Sequence, residues 1–382
     1  MDANAAGVTT AAGWDAYAAA CLELESDPRP RVAARLLAEA RHAVACALGT
    51  TADAVTFTSG GTEAAARALY SLLGMPLQPA HPPSSKAASH VVISVLEHAA
   101  VADTVRRWVA EFPRLHCTTV AAGPDGQVDL QACAAAMVPT PTLVSVIMAS
   151  NETGVLQPQR ALRALCQAHG VRLHTDAVQA VGRLPIHFDT WAAEGLSALS
   201  FSGHKIGAVG GTGACLLAKP CRAAPFCLPD AGPQQVAGAC SLAAALRAVC
   251  TASLEAQHAH LTRLRDGLQS ALCESLPDVE IVGHSVPRLP NTLCMRFGGC
   301  EADGLLMALD LRGFAVSTGS ACSSGSIEAS PILLGMGLTA LQAKQTLRFS
   351  LPATAQEKEV TELGKAVIKV VRRARELQRE GA

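Results

Sequence analysis

The stretch VTFTSGGTEAAARAL, residues 55–69, reads as a short strand, a glycine-rich turn and a helix, with Thr62 and Glu63 near the helix start. Backbone N–H groups at such a start can hold an anion, typically a phosphate. Taken alone, the stretch fits an ordinary tight turn as well as a phosphate cup, so its meaning depends on its surroundings.

The same pattern repeats outward from it. From about residue 55 to 220, short β-rich runs alternate with longer helical patterns, with strands expected at 54–57, 91–96, 115–120, 143–149, 171–174, 196–201 and 214–218. Such alternation builds βα units and a largely parallel sheet. The strands run into polar or glycine-rich turns, including TSGGT at 58–62, NETG at 151–154, HTDA at 174–177 and SGHK at 202–205. Ligands of open α/β sheets bind outside the carboxyl ends of the strands, so these turns should meet at one site. Beyond about residue 242 the pattern changes to a long Ala/Leu-rich helix through 276, strands near 279–283 and 291–297, and a helix at 302–311. Strands at 314–317 and 346–351 follow, then a last helix in which Val360, Leu363, Val367 and Val370 make one apolar stripe. The expected fold class is α/β, with a large domain over 14–245 built on a mainly parallel seven-stranded sheet. Residues 1–13 and 246–382 would form a smaller α+β domain.

A chain of 382 residues can bury a large core, and 49% hydrophobic against 16% charged residues describes a globular protein. The 31 Lys and Arg against 32 Asp and Glu leave a net charge of −1 with no basic run, which argues against a nucleic-acid partner. Fourteen cysteines without a CxxC pair, and no apolar leader, point to a reducing cytoplasm rather than a disulfide scaffold. The longest apolar runs, at 90–96 and 142–149, fall well short of the roughly 20 residues that span a bilayer, so no membrane segment is expected.

Three features carry chemistry. HTDAVQAVG, at 174–182, sets Asp176 at a strand end with Gln179 three residues on; an isolated Asp there would read as a helix cap or a solvated loop residue. SFSGHKIGAVGGTG, at 200–213, sets Lys205 beside Ser202 and His204; a lysine kept neutral by its surroundings can form a Schiff base with a carbonyl cofactor, though a lone lysine is usually a surface charge. A phosphate loop, a strand-end Asp and a strand-end Lys together match what pyridoxal phosphate needs, a Lys Schiff base and an acidic partner for its pyridinium nitrogen. Cys322 stands apart from the other cysteines: it lies in STGSACSSGS among small and hydroxyl residues, whereas most of the rest sit in apolar contexts typical of core positions.

The segments FTSGGTEA, EHAAV, NETGVLQP, HTDAVQAVGRLPI, SFSGHK and STGSACSSG follow one another as in the cysteine desulfurases, a branch of the class-V aminotransferase-like enzymes, and the chain resembles that family over nearly its full length. The resemblance implies the fold type I of pyridoxal-phosphate enzymes and assigns Lys205 the Schiff base. It gives Asp176 the ring nitrogen, Gln179 the phenolic oxygen, and Gly61, Thr62, Ser202 and His204 the phosphate. It places His98 on the ring face, where it can stack and move protons; without the resemblance, a His at a helix start reads as a cap. Asn151 and Arg348 would grip the substrate carboxylate, a role that suits the planar fork of arginine; the plain alternative for Arg348 is an ordinary salt bridge. The implied activity is conversion of L-cysteine to L-alanine with a persulfide left on Cys322. Iron–sulfur assembly or another thiolation would follow, with a homodimer, a sulfur-acceptor or scaffold protein as partner, and Cys322 as a transient iron–sulfur ligand.

Two stretches depart from the family pattern. AGPQQ runs directly into VAGACSLAAALRA, as though about ten residues were deleted between Gln235 and Val236, and with them an Arg-x-Gly-Thr-like stretch whose Thr reaches the neighbouring subunit's cofactor phosphate. DANAAGVTT replaces the usual opening, and ESDPRPRVAARLL lacks the segment that precedes the first long helix, both of which border the family's active site. Two alternatives therefore stand beside the desulfurase: an impaired homologue acting as a binding or regulatory partner, and a pyridoxal-phosphate lyase or aminotransferase acting on another amino acid.

Overall fold

The computed structural model describes residues 2–5, 7–74, 89–137, 142–221, 233–250, 254–318 and 329–380. Seven strands, β1 (Val55–Thr58), β2 (Ser89–Ser94), β3 (Leu115–Val120), β4 (Thr142–Ser145), β5 (Arg172–Asp176), β6 (Leu196–Ser202) and β7 (Gly213–Leu217), form one sheet in the order β1-β7-β6-β5-β4-β2-β3. Only β7 runs antiparallel to its neighbours; the other pairings are parallel. Side chains alternate across the sheet, and both faces are apolar because both are covered. Val92, Val144, Leu199 and Leu216 join one core with the helices Pro30–Leu48 and Pro233–Cys250. Val91, Leu143, Ala198 and Cys215 join the opposite core under the helix Gly61–Leu73.

A second, antiparallel sheet has the order β10-β11-β9-β8, from β8 (Val279–Ile281), β9 (Thr292–Phe297), β10 (Ser317–Thr318) and β11 (Thr346–Ser350). Leu293, Met295, Phe297, Leu347 and Phe349 pack there against helices that include Leu254–Ser275 and Glu357–Glu380. Phe297 and Phe349 meet edge to face at 6.3 Å. The apolar stripe Val360, Leu363, Val367 and Val370 is buried in this core, as its spacing demands.

Most strand ends fall within two residues of the expectation, with β2 at 89–94 rather than 91–96 and β5 at 172–176 rather than 171–174; three places differ by more. β4 ends at Ser145, not 149, because Glu97 takes over the edge: its Oε1 accepts the Ile147 N–H at 2.6 Å where β2 has already ended. The Val146 and Met148 N–H groups still bond toward β5, to the carbonyls of His174 and Asp176. The expected helix from 242 to 276 is two helices, Pro233–Cys250 and Leu254–Ser275, the first opening on a proline, which suits a first helical turn. The strand expected at 314–317 is reduced to the two residues of β10. Among the described residues, no single helix is long and apolar enough to cross a membrane.

Candidate functional site

The turns after β1, β5 and β6 come together at the carboxyl ends of the parallel strands. A Cβ on Gly61 would lie 3.0 Å from Val178 Cγ2 and 3.2 Å from Ser202 Cβ, so the three turns are in contact and a side chain there would push its neighbours back by a few tenths of an ångström. Gly61 opens the helix Gly61–Leu73, with exposed Thr62 second in it, which aims the start of that helix at Ser202. Ser202 Oγ lies 2.7 Å from His204 Nδ1, and burial, with Lys205 adding to it, holds the His204 pKa below its ordinary value.

Asp176 closes β5. It is 3% exposed, its Oδ1 accepts the Val178 N–H at 2.9 Å, and burial raises its pKa above the ordinary carboxylate value. No ion pair among the described residues includes it, so it is a buried carboxyl suited to a cationic partner. The pyridinium nitrogen of pyridoxal phosphate is such a partner, and the Gly61 turn with Ser202 and His204 is a donor set suited to its phosphate. The residues present fit the cofactor.

Lys205 follows β6 in a short turn. Its Nζ donates to the carbonyls of Asn4 at 2.7 Å and Ala5 at 2.6 Å. Gln179, 4% exposed, donates from Nε2 to the same Asn4 carbonyl at 3.2 Å, while its Oε1 accepts from Arg183 at 2.9 Å. His98 is the N-cap of the helix Ala99–Glu111: Nδ1 accepts the Ala100 N–H at 3.1 Å, which leaves the ring proton on Nε2. The helix-cap reading of His98 is therefore correct as geometry, and it sets the tautomer.

Arg348, on β11, is 1% exposed. Its guanidinium donates to the Asn151 carbonyl at 3.0 Å and forms an ion pair with Asp2 Oδ1 at 2.7 Å, while Nε has no hydrogen-bond partner among the described residues. The salt bridge named as the plain alternative for Arg348 is present, and it sits beside Asn151 rather than on an outer face. Asp2 also accepts from Ser350 Oγ at 2.8 Å, and Asn4 Nδ2 donates to the Asn151 carbonyl at 3.2 Å and to Thr292 Oγ1 at 2.9 Å. Residues 2–5 thus run from the small sheet to Lys205.

Two buried acids join the group without a motif of their own. Glu97 precedes His98; its pKa is pushed well above the ordinary value, first by burial and then by the nearby Asp176 carboxyl. Glu152 follows Asn151, accepts from Ser330 Oγ at 2.5 Å, and is raised by burial to about 7 against the opposing pull of Ser330, Arg348 and His98. A cavity of about 510 Å3 is lined in part by Glu97, His98, Asn151, Glu152 and Arg106. Asp2, Asn4, Glu97, Glu152 and Arg183 were not singled out from the sequence. The only signals were that Glu97 and Glu152 lie inside EHAAV and NETG and that Arg183 stands four residues after Gln179.

Cys322 lies outside the described residues. Every described cysteine is a free thiol, and burial raises Cys133 and Cys240 to about 11 and Cys166 and Cys294 to about 12, which disfavours their thiolates. Cys46 and Cys273 are exposed, an exception to the core reading of the remaining cysteines. Among the described residues, no group of three or more His, Cys, Asp or Glu could hold a metal ion.

A sheet with one antiparallel strand, a phosphate-type turn, a buried strand-end Asp and a strand-end Lys define a pyridoxal-phosphate enzyme. The chain matches the aminotransferase class-V model over residues 26–224 and 221–363, and it belongs to that family. It is 36% identical over 358 residues to an IscS-like cysteine desulfurase of Mycobacterium tuberculosis, covering 90% of this chain and 88% of the relative. It is 34% identical over 363 residues to a cysteine desulfurase of Cereibacter sphaeroides, covering 92% and 89%. A NifS-like protein of Rickettsia africae superposes with a TM-score of 0.78 at 25% identity, covering 97% of this chain and 98% of that one.

Proposed function

We propose that the chain is a pyridoxal-phosphate-dependent cysteine desulfurase, converting L-cysteine to L-alanine and leaving the sulfur as a persulfide on Cys322. The observation that carries this reading is the meeting of Lys205, Gln179, Asn151 and Arg348 around residues 2–5, in a chain whose relatives are named cysteine desulfurases. When bound, pyridoxal phosphate supplies the ring that draws electrons from the substrate α-carbon.

The chain's own residues do the rest. The Gly61–Thr62 turn, Ser202 and His204 bind the phosphate, and Asp176 holds a proton on the ring nitrogen. Gln179 offers its Nε2–H to the phenolic oxygen, and Lys205 Nζ is the amine that receives the cofactor. Once neutral, that amine no longer needs the Asn4 and Ala5 carbonyls that favour an ammonium. His98 holds its transferable proton on Nε2. Arg348 and Asn151 orient the substrate by its carboxylate, and the Cys322 thiolate takes the sulfur.

The same reading makes 14–245 the cofactor domain and gives 1–13 with 246–382 the smaller one. It has the enzyme work in the cytoplasm as a homodimer, passing sulfur to an acceptor or an iron–sulfur scaffold protein. The test is the visible absorption of cofactor-loaded protein before and after L-cysteine, with alanine assayed in the same tube. Lys205→Ala should lose the band of the bound cofactor; Cys322→Ala should keep it and lose sulfur transfer. Folded wild-type protein with no band and no alanine would overturn the reading.

A further inference from the structure

The charges around Arg348 do not balance once Glu152 is included. Arg348 contributes one positive charge, and Asp2 already neutralises it at 2.7 Å, with the two side chains 1% and 14% exposed. Glu152 is 5% exposed and joins Asn151 in the wall of the 510 Å3 cavity. Its Oε2 accepts the Ser330 hydroxyl proton at 2.5 Å, and Ser330 Oγ accepts the Leu333 N–H at 3.2 Å, so the hydroxyl's one proton is committed to Glu152. The charged and titratable groups facing Glu152 are Arg348 from β11, His98 from the start of Ala99–Glu111 and the Cys294 thiol from β9, with the hydroxyl of Ser330, the N-cap of the helix Pro331–Gly335, also against it. Burial outweighs these partners and brings the carboxyl to about 7, so near neutrality it exchanges a proton readily.

We propose that Glu152 takes up one proton when a carboxylate ligand settles beside Asn151 and Arg348, so that the affinity of this seat for carboxylates falls as pH rises above neutrality. The inference rests on the reading of Arg348 and Asn151 as the carboxylate grip. With Asp2 in place and Glu152 ionised, the seat carries one net negative charge, and an arriving carboxylate would make it two in surroundings that screen poorly. A proton drawn from the buffer onto Oε1 restores the single charge, while Ser330 still donates to Oε2. No other bond forms or breaks, and the proton returns to the buffer when the ligand leaves. Glu152 is thus a specificity-determining residue of the seat, and it acts by holding a proton.

The experiment is calorimetric titration of cofactor-loaded protein with propionate, a carboxylate without an amine. It is run from pH 6.5 to 8.5 in buffers of different ionisation enthalpy. Wild-type protein should take up about half a proton or more per propionate near pH 7.5, and its Kd should weaken about five- to tenfold between pH 7 and 8.5. Glu152→Gln should take up none and hold a nearly constant Kd across the range. Ser330→Ala, which removes a hydrogen bond favouring the ionised form, should shift the weakening to higher pH. Binding without proton uptake, or the same uptake in Glu152→Gln, would overturn the inference and leave the carboxylate grip standing. Failure of propionate to bind at any pH would remove the grip itself, and the inference with it.

Discussion

His174 is buried completely on β5, two residues before Asp176, with Nδ1 2.9 Å from Ser145 Oγ on β4 and Nε2 3.0 Å from Ser200 Oγ on β6. A neutral imidazole meets both neighbours with one N–H and one lone pair. Burial accordingly moves its pKa from 6.5 down to about 3. Because the folded value is depressed, the unfolded chain binds the proton first. The stability His174 contributes is fully present above pH 6.5 and is lost as pH falls toward 3. Inside that window one such group tilts stability by about 1.4 kcal/mol per pH unit, so between pH 6 and 4.5 it removes about 2 kcal/mol. The perturbation is His174→Gln, which keeps two polar ends and does not titrate, and the assay is urea unfolding of both proteins at pH 6 and 4.5. Taking the difference of the two pH effects cancels every other titrating group and any constant cost of the substitution. Wild type should lose about 2 kcal/mol more than the variant over this interval. Parallel losses would refute the reasoning, since they would mean that Ser145 and Ser200 hold an imidazolium in the fold.

Two further outcomes follow from the geometry of the site. Asp2→Asn removes the carboxylate ion-paired with the buried Arg348 guanidinium and should cost about 3–5 kcal/mol in denaturant unfolding; a cost below about 1 kcal/mol would show that the pair does not hold the chain start in place. Gly61→Ala pushes a methyl against Val178 and Ser202 and should weaken cofactor retention about tenfold or more in dialysis, while unchanged retention would place the phosphate elsewhere.

The large sheet was legible because its short strand runs alternate with longer helical patterns and end in turn residues, and the stripe Val360 to Val370 because its helical period is unbroken. The sequence extends β4 too far because 146–149 is apolar like a strand; what ends its pairing with β2 is a side chain, Glu97, fifty residues away in sequence, and no local pattern reports it. The strand-end residues Asp176, Lys205 and Ser202 were legible as a set, since topology brings strand ends together. Asp2 and Asn4 were not legible: short polar residues in DANAA have no periodicity, and the resemblance marked that opening only as a departure. Glu152 is illegible for the opposite reason, since a charge in NETG reads as a solvated turn, whereas Ser330 and the surrounding fold bury it.

The path of residues 2–5 also bears on how the molecule is made. Asp2 pairs with Arg348 and Ser350, and Asn4 with Thr292 and Asn291, partners separated from them by 287 to 348 positions. Residues 2–5 are therefore fully held only once the small sheet is in place, and contacts of such long range are slow to form. The large sheet can be assembled while Lys205 still lacks the two carbonyls it rests on. A chain cut before β11 would then keep much of the large sheet's core and leave the surroundings of Lys205 unfinished, so that the small sheet completes what the large one begins.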